Sequence, residues 1–174
     1  MMPIVLIILL APLPIFAIIS YNRLIRDKNR VLSAWSDIDV QLARRHELIP
    51  KLIAVAKSYG QYEQNTLEQL TRLRTTSRDC TKPEQKSALE NQLSNNLKQI
   101  LVLMENYPTI KTNQQYISLQ HNLSDVENTI QSARRYYNGA VRNLNIRIDS
   151  FPDLILARLF GYRHAAYFVM EDRS

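Results

Sequence analysis

The sequence predicts an all-α protein, with an N-terminal transmembrane helix followed by an antiparallel four-helix up-down bundle. Three observations carry this. Apolar residues recur at every third or fourth position through most of the chain, the spacing that lines one face of a helix. Only three glycines occur among 174 residues, whereas Leu, Ile, Gln, Asn and Arg are plentiful, which favours helix over sheet. The first nineteen residues, MMPIVLIILLAPLPIFAII, carry no charge at all.

A helix of that length spans about 28 Å, close to the roughly 30 Å thickness of a bilayer's hydrocarbon core. No basic residue precedes the run and AIIS is a poor cleavage site, so residues 1–20 read as an uncleaved single-span anchor. Pro12 and Pro14 are tolerated in lipid when the freed backbone groups find partners. Arg23, Arg26, Lys28 and Arg30 follow the span, opposed only by Asp27. For a single-pass protein of the cell (inner) membrane, the positive-inside bias then favours a cytoplasmic bundle, with the periplasmic or extracellular side as the alternative.

The first bundle helix carries Val31, Trp35, Ile38, Leu42, Arg45, Ile49, Leu52, Ala56 and Tyr59 at helical steps, with Arg45 as the one polar member of the seam. GQYEQN at 60–65 is a turn signal. A shorter helix follows with Leu67, Leu70 and Leu73. Pro83 suits the first turn of the third helix, which carries Leu89, Leu93, Leu97, Ile100, Met104 and Tyr107. Pro108 stops it. The last helix runs from Tyr116 to Phe151, with Pro152 closing it, so that the bundle covers 21–152. Residues 153–174 read as an amphipathic tail, a short helix near 153–160 and then a loose end.

Short connections make consecutive helices antiparallel. The last helix then returns toward the membrane, and Arg142 and Arg147 join Arg23, Arg26, Lys28 and Arg30 in a basic collar suited to anionic lipid headgroups. Helices one and four become neighbours, and equal rise in opposite directions pairs residues whose numbers add to about 172. That register sets Trp35 beside Tyr137, Arg45 level with Glu127, and Arg134 and Arg135 level with Asp37 and Asp39. A buried arginine requires such carboxylates, because an unpaired buried charge costs several kcal/mol. Within QLARRHELIPKL, residues 41–52, Pro50 has no amide to give the His46 carbonyl, so a kink is expected beside the Arg44/Arg45 pair.

YNRLIRDKNRVLSAWSDIDVQLARRHELIPKL resembles the start of LemA family proteins, with the YN pair, the AWxxIDVQL stretch and the RRxxLIPxL stretch. KSYGQYE at 57–63, ENYPTIKTN at 105–113 and ARRYYNGAVRNLNIRIDSFP at 133–152 extend the resemblance over nearly the whole chain. Tyr62 departs from it, standing where a histidine is common. The resemblance implies a membrane-anchored helical bundle, with roles in organising membranes or partnering envelope proteins.

The residues themselves offer little to an enzyme. No glutamate has a histidine three positions on, as a di-iron bundle requires, and neither HExxH nor a phosphate-cradling loop occurs. The single Cys80 excludes a disulfide framework and thiolate zinc sites; in the charged SRDCTK loop it reads as an incidental surface thiol. The net charge is +6, but basic and acidic residues interleave and no nucleic-acid recognition motif appears. The expectation is therefore a non-enzymatic protein without cofactor, metal or nucleic acid. It would act as an interaction scaffold for other membrane or envelope proteins, or as a lipid-binding protein that shapes membranes through the collar, with homo-oligomerisation left open. The candidate polar cluster is Arg44, Arg45, His46, Pro50, Asp37, Asp39, Glu127, Arg134 and Arg135.

Overall fold

The computed structural model describes residues 12–58, 64–107, 110 and 112–169. Among the described residues, five helices are long enough to name: α1 (Pro12–Ser58), α2 (Gln64–Asp79), α3 (Pro83–Glu105), α4 (Gln114–Asp149) and α5 (Asp153–Leu159). No strand occurs among the described residues. Most of the expected anchor, the core of the 60–65 turn including Gly60, and Pro108 lie outside the described residues. Among those described, no helix is long and apolar enough to cross a membrane.

The chain forms two compact units, one of residues 12–36 with 136–166, the other of 37–135 with 167–169. α1 and α4 each supply part of both units, while α2 and α3 belong to the second alone.

In the first unit, α1 and α4 run antiparallel. Trp35 meets Tyr137 with ring centroids 5.4 Å apart, and Arg147 Nε donates to Asp27 at 2.5 Å. Leu24, Val31 and Ala34 are buried, as are Val141, Leu144 and Ile148, each Leu-sized side chain contributing about 1.5–3 kcal/mol. α5 ends where Gly161 takes φ +66°. That left-handed residue lets the Tyr162 amide reach back to the Ala157 carbonyl at 2.9 Å, a closure that a side chain at position 161 would strain.

From Tyr162 to Val169 the chain is irregular, yet side chains of α4 hold part of it. Asn145 exchanges two hydrogen bonds with the Ala165 backbone, at 3.0 and 2.9 Å, and Tyr137 Oη donates to the Ala166 carbonyl at 2.8 Å. These side chains satisfy backbone groups that have no ladder of their own.

In the second unit four helical segments pack side by side. Asp39 lies level with Lys86 and Arg45 with Glu90, so α1 and α3 run parallel. Asn91 meets Arg134 and Gln120 meets Glu105, so α3 and α4 are antiparallel. Buried Ile38, Leu42, Ile49 and Leu52 from α1 share the core with Leu67, Leu70, Leu93, Leu97, Ile100, Leu123 and Ile130. Pro83 occupies the first turn of α3, where its missing amide has no helical partner to lose. Asn113 caps α4, its Oδ1 accepting from the Gln115 and Tyr116 amides at 2.8 and 3.2 Å.

Candidate functional site

α1 continues through Pro50 to Ser58, so QLARRHELIPKL is helical throughout. Helical geometry turns Arg45 inward between Leu42 and Ile49, while Arg44, one step before it, is exposed. Arg45 is 1% exposed. Its Nη1 donates to Glu127 Oε2 at 2.8 Å and to Ser94 Oγ at 2.5 Å. Its Nη2 donates to the Glu90 carboxylate and, at 3.3 Å, to the Glu90 carbonyl. Glu90 is fully buried; its Oε1 also accepts from His46 Nε2 at 2.8 Å and from the Ser77 hydroxyl. One polar network thus joins α1, α2, α3 and α4.

Burial pushes the Arg45 guanidinium down to about 10, with Glu127 opposing the shift and Arg134 adding to it. Arg45 therefore stays charged at neutral pH. His46 is pushed down to about 4, first by burial and then by the surrounding cations Arg45, Arg74, Lys86 and Arg78. Its ring is neutral at pH 7, and contact with a carboxylate oxygen places the ring proton on Nε2. Both Glu90 carboxylate oxygens are thus engaged within the cluster. What it does physically is hold four helices in one register, because removing one partner from a buried ion pair costs about 3–5 kcal/mol.

The His46 carbonyl is not left open by Pro50. Arg74, half-buried on α2, donates to it from Nε at 2.7 Å. The carbonyl that the proline frees is therefore taken by a side chain of the protein itself.

Arg134 and Arg135 do not meet Asp37 and Asp39. Arg134 is buried; its Nη1 donates to Asn91 Oδ1 at 3.1 Å and its guanidinium lies 4.5 Å from the Phe168 ring centroid. Its Nε and Nη2 have no partner, and burial lowers its pKa, with Glu127 opposing. The turn of α4 that carries Arg134 faces α3, which the register of α1 against α4 did not convey. Arg135 is exposed and bonds Ser132 at 3.0 Å. Asp39 pairs with Lys86 at 2.7 Å, and Asp37 is exposed.

Of the collar residues, Arg23, Arg26, Lys28, Arg30 and Arg142 are exposed. Arg30 lies 3.5 Å from Asp27, and Lys28 lies 5.8 Å from the Tyr162 ring centroid. Arg147 is different: it is clamped between Asp27 at 2.5 Å and Asp153 at 3.1 Å. The hydrogen bond from Arg147 to Asp27 leads in raising its pKa. Two of its three guanidinium nitrogens are thereby engaged within the protein.

Sequence reasoning missed Glu90, Ser94, Ser77, Arg74, Asn91 and Lys86. A signal existed for two of them. Counting back from Leu97 through Leu93 by helical intervals reaches Glu90, and Ser94 lies beside that stripe; Leu89, assigned to the seam instead, is only half-buried. Among the described residues, no group of three or more His, Cys, Asp and Glu is placed to hold a metal.

The LemA family model matches residues 34–174. The chain belongs to the LemA family. It is similar to Protein LemA of Metamycoplasma hominis, at 26% identity over 87% of this chain and 69% of the relative. It is also similar to Magnetosome protein MamQ 2 of Paramagnetospirillum magneticum, at 34% identity, and to Magnetosome protein MamQ of Magnetospirillum gryphiswaldense, at 30%. Each of those two matches covers 42% of this chain and 27% of the relative, so the match spans about a quarter of their length. In this LemA family chain the buried network, Arg134 and the docked tail all fall inside the matched region, whereas Arg23, Arg26, Lys28 and Arg30 precede it.

Proposed function

We propose that this LemA family chain is a non-enzymatic single-pass protein of the cell (inner) membrane. Its 12–36/136–166 unit meets the bilayer, and it acts as an interaction scaffold for other membrane or envelope proteins. One observation carries the membrane contact. Phe151, Ile155 and Leu159 recur at intervals of four and are 79%, 59% and 74% exposed. Phe160 extends the row and packs on Tyr21, ring centroids 4.7 Å apart, which connects it to exposed Ile15, Ile18 and Ile19 on α1. An apolar patch of this kind, rimmed by aromatic rings, suits the headgroup–acyl boundary of a membrane.

A second reading is a lipid-organising protein acting on the bilayer itself. Exposed Arg23, Arg26, Arg158 and Arg163 in the same unit favour it, since basic residues beside an apolar face add attraction to anionic headgroups.

The test uses the full chain in vesicles, in a Cys80→Ser background with single cysteines at Ile155, Leu159 or Leu32 carrying a fluorophore. Nitroxide-bearing lipids are expected to quench the label at 155 and 159 but not at 32. No quenching at 155 and 159 overturns the membrane contact. Quenching that requires anionic lipid and fades at high salt supports the second reading.

A further inference from the structure

We infer that a cavity between α1, α2 and α3 in the four-helix unit binds the phosphate group of a small soluble phosphate monoester. The cavity holds about 350 Å³, at the low end of the roughly 300–1,000 Å³ typical of ligand sites. Leu42, His46 and Glu47 of α1 bound it, with Arg74 and Arg78 of α2 and Lys86 of α3. All of these residues lie within the one compact unit.

Arg74 supplies the fixed element. Its Nε is held on the His46 carbonyl at 2.7 Å, which sets the guanidinium in place. Its Nη1 and Nη2 have no acceptor among the described residues, and both remain open to solvent where Arg74 lines the cavity. Arg78 lies one turn on, at the i,i+4 spacing that puts both arginines on one face of α2. Its ion-pair partner among the described residues is its exposed neighbour Asp79, at 3.7 Å, a surface contact worth little. Lys86 comes from α3, held at 2.7 Å by Asp39. Three cations from two helices thus line one space around a preset guanidinium fork, an arrangement suited to the oxygens of a phosphate.

Charge decides between anions. The Lys86–Asp39 pair is balanced, so Arg74 and Arg78 share the cavity with a single further carboxylate, Glu47. Glu47 is exposed and has no ion-pair partner among the described residues. The surplus positive charge reaches the cavity wall: after burial and Arg45, the charges of Arg74, Lys86 and Arg78 help push the His46 pKa down to about 4. A carboxylate ligand would bring one negative charge, no more than Glu47 already supplies. A phosphate monoester is close to dianionic at pH 7, its second pKa being about 6, and so can engage both arginines despite Glu47. The cavity is larger than a bare phosphate and leaves room for a small organic group against Leu42 and Ala43. This inference does not depend on the membrane contact of the other unit.

The test is calorimetric titration of the full chain, in a non-ionic detergent at fixed ionic strength, with glycerol 3-phosphate. Saturable one-to-one binding is expected, and acetate at the same concentration should not compete. Glu47→Gln removes the opposing carboxylate and should tighten binding about twofold or more, a gain that misfolding cannot imitate. Arg78→Gln, at an exposed position, should weaken it about fivefold or more. Arg72→Gln, equally exposed on α2 but lining a different cavity, should leave it unchanged. In the unmodified protein the His46 ring signals should shift in NMR spectra during the titration, while those of His121 and His164 stay in place. The inference fails if glycerol 3-phosphate does not bind, if acetate competes equally, or if phosphatidic acid in the micelles binds where glycerol 3-phosphate does not. It fails equally if Glu47→Gln brings no gain, if Arg72→Gln weakens binding as much as Arg78→Gln, or if His46 does not respond.

Discussion

Arg74 Nε lies 2.7 Å from the carbonyl oxygen of His46, the acceptor that Pro50 deprives of its helical amide. The proline inside α1 and the arginine on α2 are thus two halves of one arrangement. Pro50 opens an acceptor on the face that α2 covers, and Arg74 closes it while tying α2 to α1. A helix-breaking residue here supplies an inter-helix bond.

Arg74→Met should lower stability by about 1–3 kcal/mol, since it strands a largely buried carbonyl. In a Pro50→Ala background the new backbone amide at position 50 can bond the His46 carbonyl, so the same change should cost less than about 1 kcal/mol. Urea unfolding of the four proteins measures this coupling. Equal losses in both backgrounds would show that Arg74 does not serve the proline-freed carbonyl.

The depressed pKa of His46 makes stability depend on pH. The unfolded chain takes up this proton near 6.5 and the folded chain only near 4. Between those values the unfolded state binds more protons, so stability falls as pH drops from 6.5 toward 4 and levels off below. The contribution is at most about 3 kcal/mol. His46→Gln should flatten this part of the stability–pH curve relative to the parent protein; an unchanged slope would place the titration elsewhere.

Asn145 holds the Ala165 backbone by two bonds, so Asn145→Ala should release this stretch of the tail without dismantling the helices. Hydrogen exchange at the Ala165 amide is expected to accelerate by roughly ten- to a hundredfold, with little change at Val141 or Leu144. Uniform acceleration across α4 would mean instead that the bond supports the whole unit.

The helices were legible because the chain keeps an unbroken three/four apolar rhythm, and the antiparallel register of α1 against α4 followed from equal rise. Trp35 with Tyr137 and Arg45 with Glu127 are brought together as that register requires. Partnerships reaching α2 and α3 were not legible, since spacing along one helix does not say which neighbour a face meets. Arg134 therefore found Asn91 and Phe168 instead of Asp37 or Asp39. Glu90 was hidden because a lone carboxylate on a seam looks like solvent-facing charge until a buried arginine is placed opposite it. Its presence also changes what a charge reversal at Arg45 does: a carboxylate at position 45 would face Glu90, so exchanging Arg45 with Glu127 should not restore stability.

The central claim is that Arg45 and Glu90 form a structural lock rather than a reactive site. Urea unfolding of Arg45→Met, Glu90→Leu and the double variant tests it most directly. Each single change leaves a buried charge short of its partner and should cost about 3–5 kcal/mol. The double variant removes both charges and should lose far less than the sum, with a coupling of up to about 3 kcal/mol. Losses that simply add, or single variants as stable as the parent, would contradict the lock.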